Sequence, residues 1–169
     1  MKKIICLICA RAGSKGLKNK NIKKFYNKPL IEWTFKIAKN IKEFNKVILS
    51  TDSKKIIKIA KKNGVEVPFI RPKNLAEDNS KEINVWKHAL NYLKKIKEFP
   101  DILVVLHATS PLRKKKHITY AIKKFKRDKS DALISIKEAE NNPYFNMVEL
   151  KEKKYSKIVN DKKRFTRRQ

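Results

Sequence analysis

Two of the three glycines in this chain, Gly13 and Gly16, lie in one stretch, Leu7–Asn21, LICARAGSKGLKNKN. The same stretch holds Arg11, Ser14, Lys15, Lys18, Lys20 and Asn21. Glycine permits positive φ and lets a ligand approach the backbone closely. A chain so sparing with glycine uses these two for geometry. Backbone N–H groups exposed by such a loop point at anionic oxygens. Arginine grips two oxygens at once, lysine adds point charge, and Asn21 adds a neutral donor. The chemistry that fits is polyphosphate recognition. Neither G-x-x-x-x-G-K-[ST] nor G-x-G-x-x-G occurs, so neither standard nucleotide loop is present. The plain alternative is a solvated basic loop.

Two further segments carry ligand chemistry. In HATSPLR, residues 107–113, Thr109 and Ser110 follow an apolar run and can hydrogen-bond a ligand. Pro111 fixes the turn, and Arg113 either caps the site or is solvated. His107 has three readings: a general base, a donor to a base edge, or a satisfied polar residue at a strand end. In RPKNLAEDNS, residues 71–80, Arg71 stands at a strand end and Ser80 near a helix start, where anions are favoured. The plain alternative there is a surface arginine and a serine cap. His88 and His117 fall on expected helices and are given no role.

These segments need a scaffold, and the hydrophobic pattern describes one. KIICLICA, KVILST, VEVPFI, DILVVLHATS and DALISI read as five strands in order, with Pro68 placing the third towards an edge. Between them lie helical periods. Pro29 opens the first helix, with Leu30, Thr34, Ile37, Ala38 and Ile41 on one face. Asp52 or Ser53 caps the second, with Ile56, Ile57, Ile59 and Ala60 inward and Gly64 just past its end. Asn79 and Glu82 form a capping pair for the third, with Ile83, Trp86, Leu90 and Leu93 on one side. Ile118, Ala121, Ile122 and Phe125 mark the fourth. After ENNPYFNMVEL the pattern weakens. Apolar strands alternating with amphipathic helices imply right-handed βαβ units and a Rossmann-like α/β sandwich with a mostly parallel central sheet. The whole chain, 1–169, reads as a single domain. Ligands of such sheets bind beyond the carboxyl ends of the strands, which selects the three segments above.

Composition bounds the rest. Hydrophobic content of 41% argues against disorder. No run of eighteen apolar residues occurs, so no membrane span is expected. The short apolar start is interrupted by Arg11, which favours a cytoplasmic protein over a secreted one. The net charge is +28. The lysines are spread along the chain, and isoleucine and asparagine, also encoded by A/T-rich codons, are abundant, so genome composition accounts for much of it. The field still draws in anions. Cys6 and Cys9 have C-x-x-C spacing, but on a strand they point to opposite faces, and no second cysteine pair completes a zinc site. Core packing is the reading.

ARAGSKGLKNKN, RPKNLAEDNS, HATSPLR and the terminal RRQ, in this order and spacing, resemble the CMP-acylneuraminate synthetase family of cytidylyltransferases. The resemblance implies a nucleotide-diphosphosugar transferase fold, with CTP, Mg2+ and a nonulosonic acid of sialic, legionaminic or pseudaminic type. In the implied reaction the anomeric hydroxyl attacks the α-phosphate and pyrophosphate leaves. By motif, Arg11, Ser14, Lys15, Lys20 and Asn21 would hold the triphosphate and cytidine, Arg71 and Ser80 would line the nucleotide pocket, and His107 and Thr109 would sit beside it. Lys20 and an arginine of RRQ would be catalytic; Arg168, directly before Gln169, is preferred over Arg167.

Two departures bear on this. Relatives commonly have glutamine where this chain has His107, which puts pyrimidine recognition there in question. Relatives also continue past RRQ with further strands and an aspartate pair that binds magnesium, so the chain reads as an N-terminal portion whose metal ligands lie beyond Gln169, inactive or nearly so alone. Family members are often homodimers, and a homodimer is expected if the chain were complete. The rival readings are a 3-deoxy-octulosonate cytidylyltransferase or other nucleotide-sugar pyrophosphorylase of the same fold, and a non-catalytic basic nucleic-acid-binding protein. The second is disfavoured by interspersed acids and the lack of a base-stacking aromatic motif.

Overall fold

The apolar run IICLIC, Ile4–Cys9, forms the strand β1 on which the rest is built. A computed structural model describes residues 2–13, 16–136, 148–151 and 155–158. In chain order after β1 come β2 (Lys24–Phe25), β3 (Lys28–Pro29), α1 (Leu30–Lys39), β4 (Lys46–Ser50), α2 (Lys54–Lys62), α3 (Glu82–Lys95), β5 (Ile102–His107), α4 (Lys115–Asp128), β6 (Val148–Lys151) and β7 (Tyr155–Ile158). The chain divides into two units, Met1–Lys129 and Ser130–Gln169.

In the first unit β1 is the middle strand of a parallel sheet ordered β4-β1-β5. Its two faces are sealed by different helices. Ile4, Cys6 and Ile8 pack with Ile31, Phe35 and Ala38 of α1, Ile56 and Ala60 of α2, and Ile118 and Ile122 of α4. Ile5 and Leu7 pack with Ala89 and Leu93 of α3. This is an α/β sandwich, and an unbroken apolar run is what a strand covered on both faces needs. Each such side chain contributes about 1.5–3 kcal/mol when fully buried. Cys6 is buried on the first face, while Cys9 packs against the second and is partly exposed. Both are free thiols. Burial pushes the Cys9 thiol up to about 12 and raises Cys6 strongly. They serve as core residues on opposite faces.

Several local signals act as expected. Ser53 Oγ accepts the Ile56 N–H at 3.3 Å and caps α2. Gly64 follows that helix at φ 65°. Others are corrected. α1 buries Ile31 and Phe35 along with Thr34 and Ala38, while Leu30 and Ile37 stay partly exposed. That helix is apolar on more than one side, so periodicity alone does not pick the inner face. α3 begins at Glu82 with Lys81 as its N-cap and no side-chain capping bond. Asn79 lies two residues ahead of the cap, out of register with the first free amides. Val85, Ala89 and Leu93 are its buried residues, and Ile83 is exposed. VEVPFI shrinks to one parallel bridge between Glu66 and Ile48 on the outer side of β4. Pro68 has no N–H with which to extend it.

In the second unit β6 and β7 form an antiparallel pair with Val148 opposite Ile158. Residues 131–136, the expected fifth strand, are not in a strand, and Ile134 and Ile136 are exposed. An apolar run becomes a strand only where a neighbour supplies the ladder, and among the described residues none does so here.

Candidate active site at the carboxyl ends of the strands

Cys9 stands level with Ser50 on one side and His107 on the other. The three strands therefore release their loops at one height, where ligands of parallel sheets bind. Leaving β1, the Ala10 N–H donates to Ser50 O at 3.1 Å and extends the pairing by a residue. The Ala12 N–H then donates to Asp52 Oδ1 at 2.8 Å. At the far end of the loop Asn19 takes φ 57° and opens a short 3-10 turn, Lys20–Ile22. Asn21 is buried there, and its Nδ2 donates to Arg11 O at 3.2 Å. The far end of the loop thus closes on Arg11, while Asp52 holds the near end at Ala12. Neither Gly13 nor Gly16 has positive φ, and a Cβ built on either would meet nothing within 4 Å. Positive φ is therefore not their use; the feature that stands is the open space above them.

The Arg11 guanidinium crosses to the 71–80 segment. Nη1 donates to Ala76 O at 3.3 Å and Nη2 to Asp78 Oδ1. At the start of that segment Arg71 is only 5% exposed, so the surface reading of this arginine is excluded. Its backbone N–H donates to Thr51 O at 2.9 Å. Nε donates to Ser50 Oγ at 3.1 Å and Nη2 to Ser50 O at 2.7 Å. These acceptors are neutral, so no hydrogen-bonded carboxylate cancels the charge. Burial draws the guanidinium below its ordinary pKa, reinforced by Arg11 and opposed by Cys9, Asp52 and Glu82.

The remaining predicted residues divide. The His107 ring is 54% exposed, with Nδ1 3.5 Å from Glu82 Oε1. Its carbonyl accepts Arg113 Nη2 at 3.3 Å. Arg113 thus folds back on the end of β5 through Nη2, while its Nη1 is buried with no hydrogen-bond partner. Ser80 is not a helix cap; its Oγ is buried with no hydrogen-bond partner. Lys20 is partly exposed and Thr109 exposed. Ser14, Lys15 and Arg168 lie outside the described residues. Arg11, Asn21 and Arg71 are thus brought onto one wall through Asp52, Asp78 and the ends of β1 and β4. His107 reaches the same end through Glu82, and Thr109 makes no bond to this group.

Sequence reading missed the roles of Asp52, Asp78 and Glu82. Asp78 and Glu82 lie in and beside the 71–80 segment and Asp52 follows the second strand, where the sequence offered it only as a helix cap; acids among so many lysines were a signal. Each is engaged: Asp52 with Ala12, Asp78 with Arg11, Glu82 with His107. Among the described residues no three His, Cys, Asp or Glu side chains gather to hold a metal.

With this geometry in view, comparison with known proteins is informative. The profile of the Cytidylyltransferase family matches residues 5–168. Post-translational flagellin modification protein B of Campylobacter coli is 42% identical over 100% of this chain and 72% of its own length. CMP-N,N'-diacetyllegionaminic acid synthase of Campylobacter jejuni is 39% identical over the same shares. Pseudaminic acid cytidylyltransferase of Campylobacter jejuni is 38% identical over 82% of this chain and 60% of its own. Among solved structures, a CMP:2-keto-3-deoxy-manno-octonic acid synthetase complexed with CTP aligns with TM-score 0.62 and 18% identity, over 76% of this chain and 49% of that one. That likeness is one of fold. The chain spans between 60% and 72% of these curated relatives and about half of the solved one.

Proposed function

Because this chain belongs to the cytidylyltransferase family, we propose that the carboxyl end of its sheet binds CTP, and that the whole protein transfers CMP to a nine-carbon sugar acid. The observation that carries the reading is the joining of Arg11, Asn21 and Arg71 on one wall. The names of the similar proteins, a legionaminic acid synthase and a pseudaminic acid cytidylyltransferase, support the acceptor class.

In this reading Arg11, Ser14, Lys15 and Asn21 receive the triphosphate and cytidine. Arg71 supplies buried positive potential from below, and the unpartnered Ser80 hydroxyl gains a ligand partner. His107 and Thr109 border the pocket. The anomeric oxygen of the sugar acid attacks the α-phosphorus, the bond from that phosphorus to the bridging oxygen breaks, and pyrophosphate leaves as the hydroxyl loses its proton. Such transfers depend on positioning and charge stabilisation more than on covalent help from the protein. Lys20 and Arg168 stabilise the charge that builds on the phosphates. Among the described residues the carboxylates at this end are engaged with Ala12, Arg11 and His107, and no three gather to hold a metal. No helix among the described residues is long and apolar enough to cross a membrane, and we place the protein in the cytoplasm, where CTP is made.

The test is calorimetric titration of the chain with CTP, UTP and ATP, together with pyrophosphate release in the presence of legionaminic, pseudaminic, N-acetylneuraminic and 3-deoxy-octulosonic acids. CTP should bind most tightly, and Lys20→Ala and Arg11→Ala should weaken it. Equal binding of all three nucleotides, or binding of single-stranded nucleic acid with a steep salt dependence, would overturn the reading. Turnover of the octulosonic acid alone would reassign the acceptor.

A further inference from the structure

We infer that Asp78 is a positioning residue for nucleotide binding, acting on the ligand through Arg11. The inference rests on the reading above and extends it to a residue outside the phosphate loop. A long arginine side chain at a partly exposed site samples many rotamers, and that freedom is lost when it binds a ligand. Here the Arg11 side chain is 29% exposed, yet it is held at both terminal nitrogens. Both acceptors belong to one short segment, through the Ala76 carbonyl and the Asp78 carboxylate.

That segment is itself fixed. The Leu75 N–H donates to Pro72 O at 3.0 Å and the Ala76 N–H to Lys73 O at 2.8 Å, closing a 3-10 turn over Lys73–Leu75. Arg71, immediately before it, is anchored on Ser50 and Thr51 at the end of β4. A continuous line of contacts therefore runs from the sheet through Arg71 and Asp78 to the Arg11 guanidinium. A guanidinium has five N–H donors. The two bonds to this segment leave three for other acceptors, on a guanidinium whose plane they hold.

Asp78 also carries a negative charge beside the proposed site of a polyanion. Its side chain is 42% exposed, and water and salt screen repulsion between exposed charges. Orientation of Arg11 is therefore the larger effect, and removing the Asp78 charge should weaken nucleotide binding instead of strengthening it.

The experiment is a double-mutant cycle on CTP affinity, read by calorimetry on the chain, with wild type, Arg11→Ala, Asp78→Asn and the double variant. Asp78→Asn should raise the CTP Kd about tenfold, and in the Arg11→Ala background most of that loss should disappear, the signature of two coupled residues. Asp78→Glu keeps the carboxylate and should stay within about threefold of wild type. Thermal melting separates a folding defect, which would weaken binding additively in both backgrounds. An unchanged or tighter Kd for Asp78→Asn, or additive losses, would overturn the inference while leaving the nucleotide site intact. Wild type that binds no CTP would overturn both together.

Discussion

Replacing Arg71 with lysine keeps its charge and removes its fork. Arg71 is 5% exposed and bonds Ser50 twice, at the hydroxyl with 3.1 Å and at the carbonyl with 2.7 Å. Different nitrogens serve the two acceptors, and an ammonium, though it has three donors, reaches less far and lacks the spaced, planar fork that meets both with good geometry. Losing a bond from a charged donor to a buried acceptor costs about 1.5–3 kcal/mol. An ammonium is also more strongly hydrated than a guanidinium and dearer to bury. The sum is a loss of roughly 2–4 kcal/mol for Arg71→Lys. Methionine loses both bonds but sheds a buried charge, which offsets part of the damage, so Arg71→Met should cost about 1–2 kcal/mol. Urea unfolding of the chain by tryptophan fluorescence measures this, since Trp33 and Trp86 both lie in the first unit. The midpoint should fall with little change in slope. Stability of Arg71→Lys within about 0.5 kcal/mol of wild type, or of Arg71→Met below that of the lysine variant, would refute the reasoning.

Two more outcomes follow from the same packing. Burial holds His88 below its ordinary value of 6.5, with Arg71 and Lys95 acting in the same direction, and its Nδ1 has no hydrogen-bond partner. The fold therefore favours neutral imidazole: stability is complete above pH 6.5 and declines as pH falls below it. His88→Phe, which keeps an aromatic ring against Phe69 at 4.8 Å, should flatten the stability profile between about pH 7 and 5; an unchanged slope rejects the assignment. Gly64 has φ 65°, and a Cβ there would stand 3.0 Å from Lys39 Nζ. The lysine tip can move but the backbone strain cannot, so Gly64→Ala should lose about 1 kcal/mol in urea and Gly64→Asn less; equal losses would place the cost in crowding, not in φ.

What was legible in the sequence was what depends on neighbours along the chain. β1, β4 and β5 announce themselves as apolar runs with charged flanks, and Ser53 and Gly64 mark the ends of α2 because a cap acts within one helical turn. The parallel direction of the strands follows from the βαβ alternation, and with it the convergence of their loops at one end, whereas the order β4-β1-β5 has no local trace. Legibility failed where a second segment decides. Whether VEVPFI becomes a strand depends on what lies beside β4, and Pro68 limits it to the Glu66 bridge. The small β2–β3 hairpin turns on Tyr26, at φ 46°, where no glycine signals a turn. The burial of Arg71 is invisible locally, because RPKNLAEDNS looks like surface; only the Ser50 and Thr51 oxygens at the end of β4 make that position tolerable. The tie from Arg11 to Asp78 spans 67 residues and has no periodic trace.

The charge of the chain is the least informative of its unusual features. An exposed lysine in water is screened within about 10 Å and selects no particular ligand. A few of the charges away from the strand ends are also paired: Lys46 sits 2.5 Å from Glu98, and Asp128 takes both Lys124 and Arg127. The carboxyl end of the sheet is different in kind. Arg71 is buried on neutral acceptors, Ser80 Oγ is buried with no acceptor or donor, and Arg11 keeps donors beyond those it gives to Ala76 and Asp78. Buried polar groups are normally satisfied, and each exception calls for a cause. Among the described residues Trp86 Nε1 and His88 Nδ1 of α3 and Arg113 Nη1 are also buried without a partner, and Ser80 shares with Arg71 the 71–80 segment at the carboxyl end of the sheet. An anion with several acceptor oxygens, set on the wall formed by β1, β4 and the 71–80 segment, would take up the remaining donors of Arg11 and add to the partial compensation that Asp52 and Glu82 give the Arg71 charge.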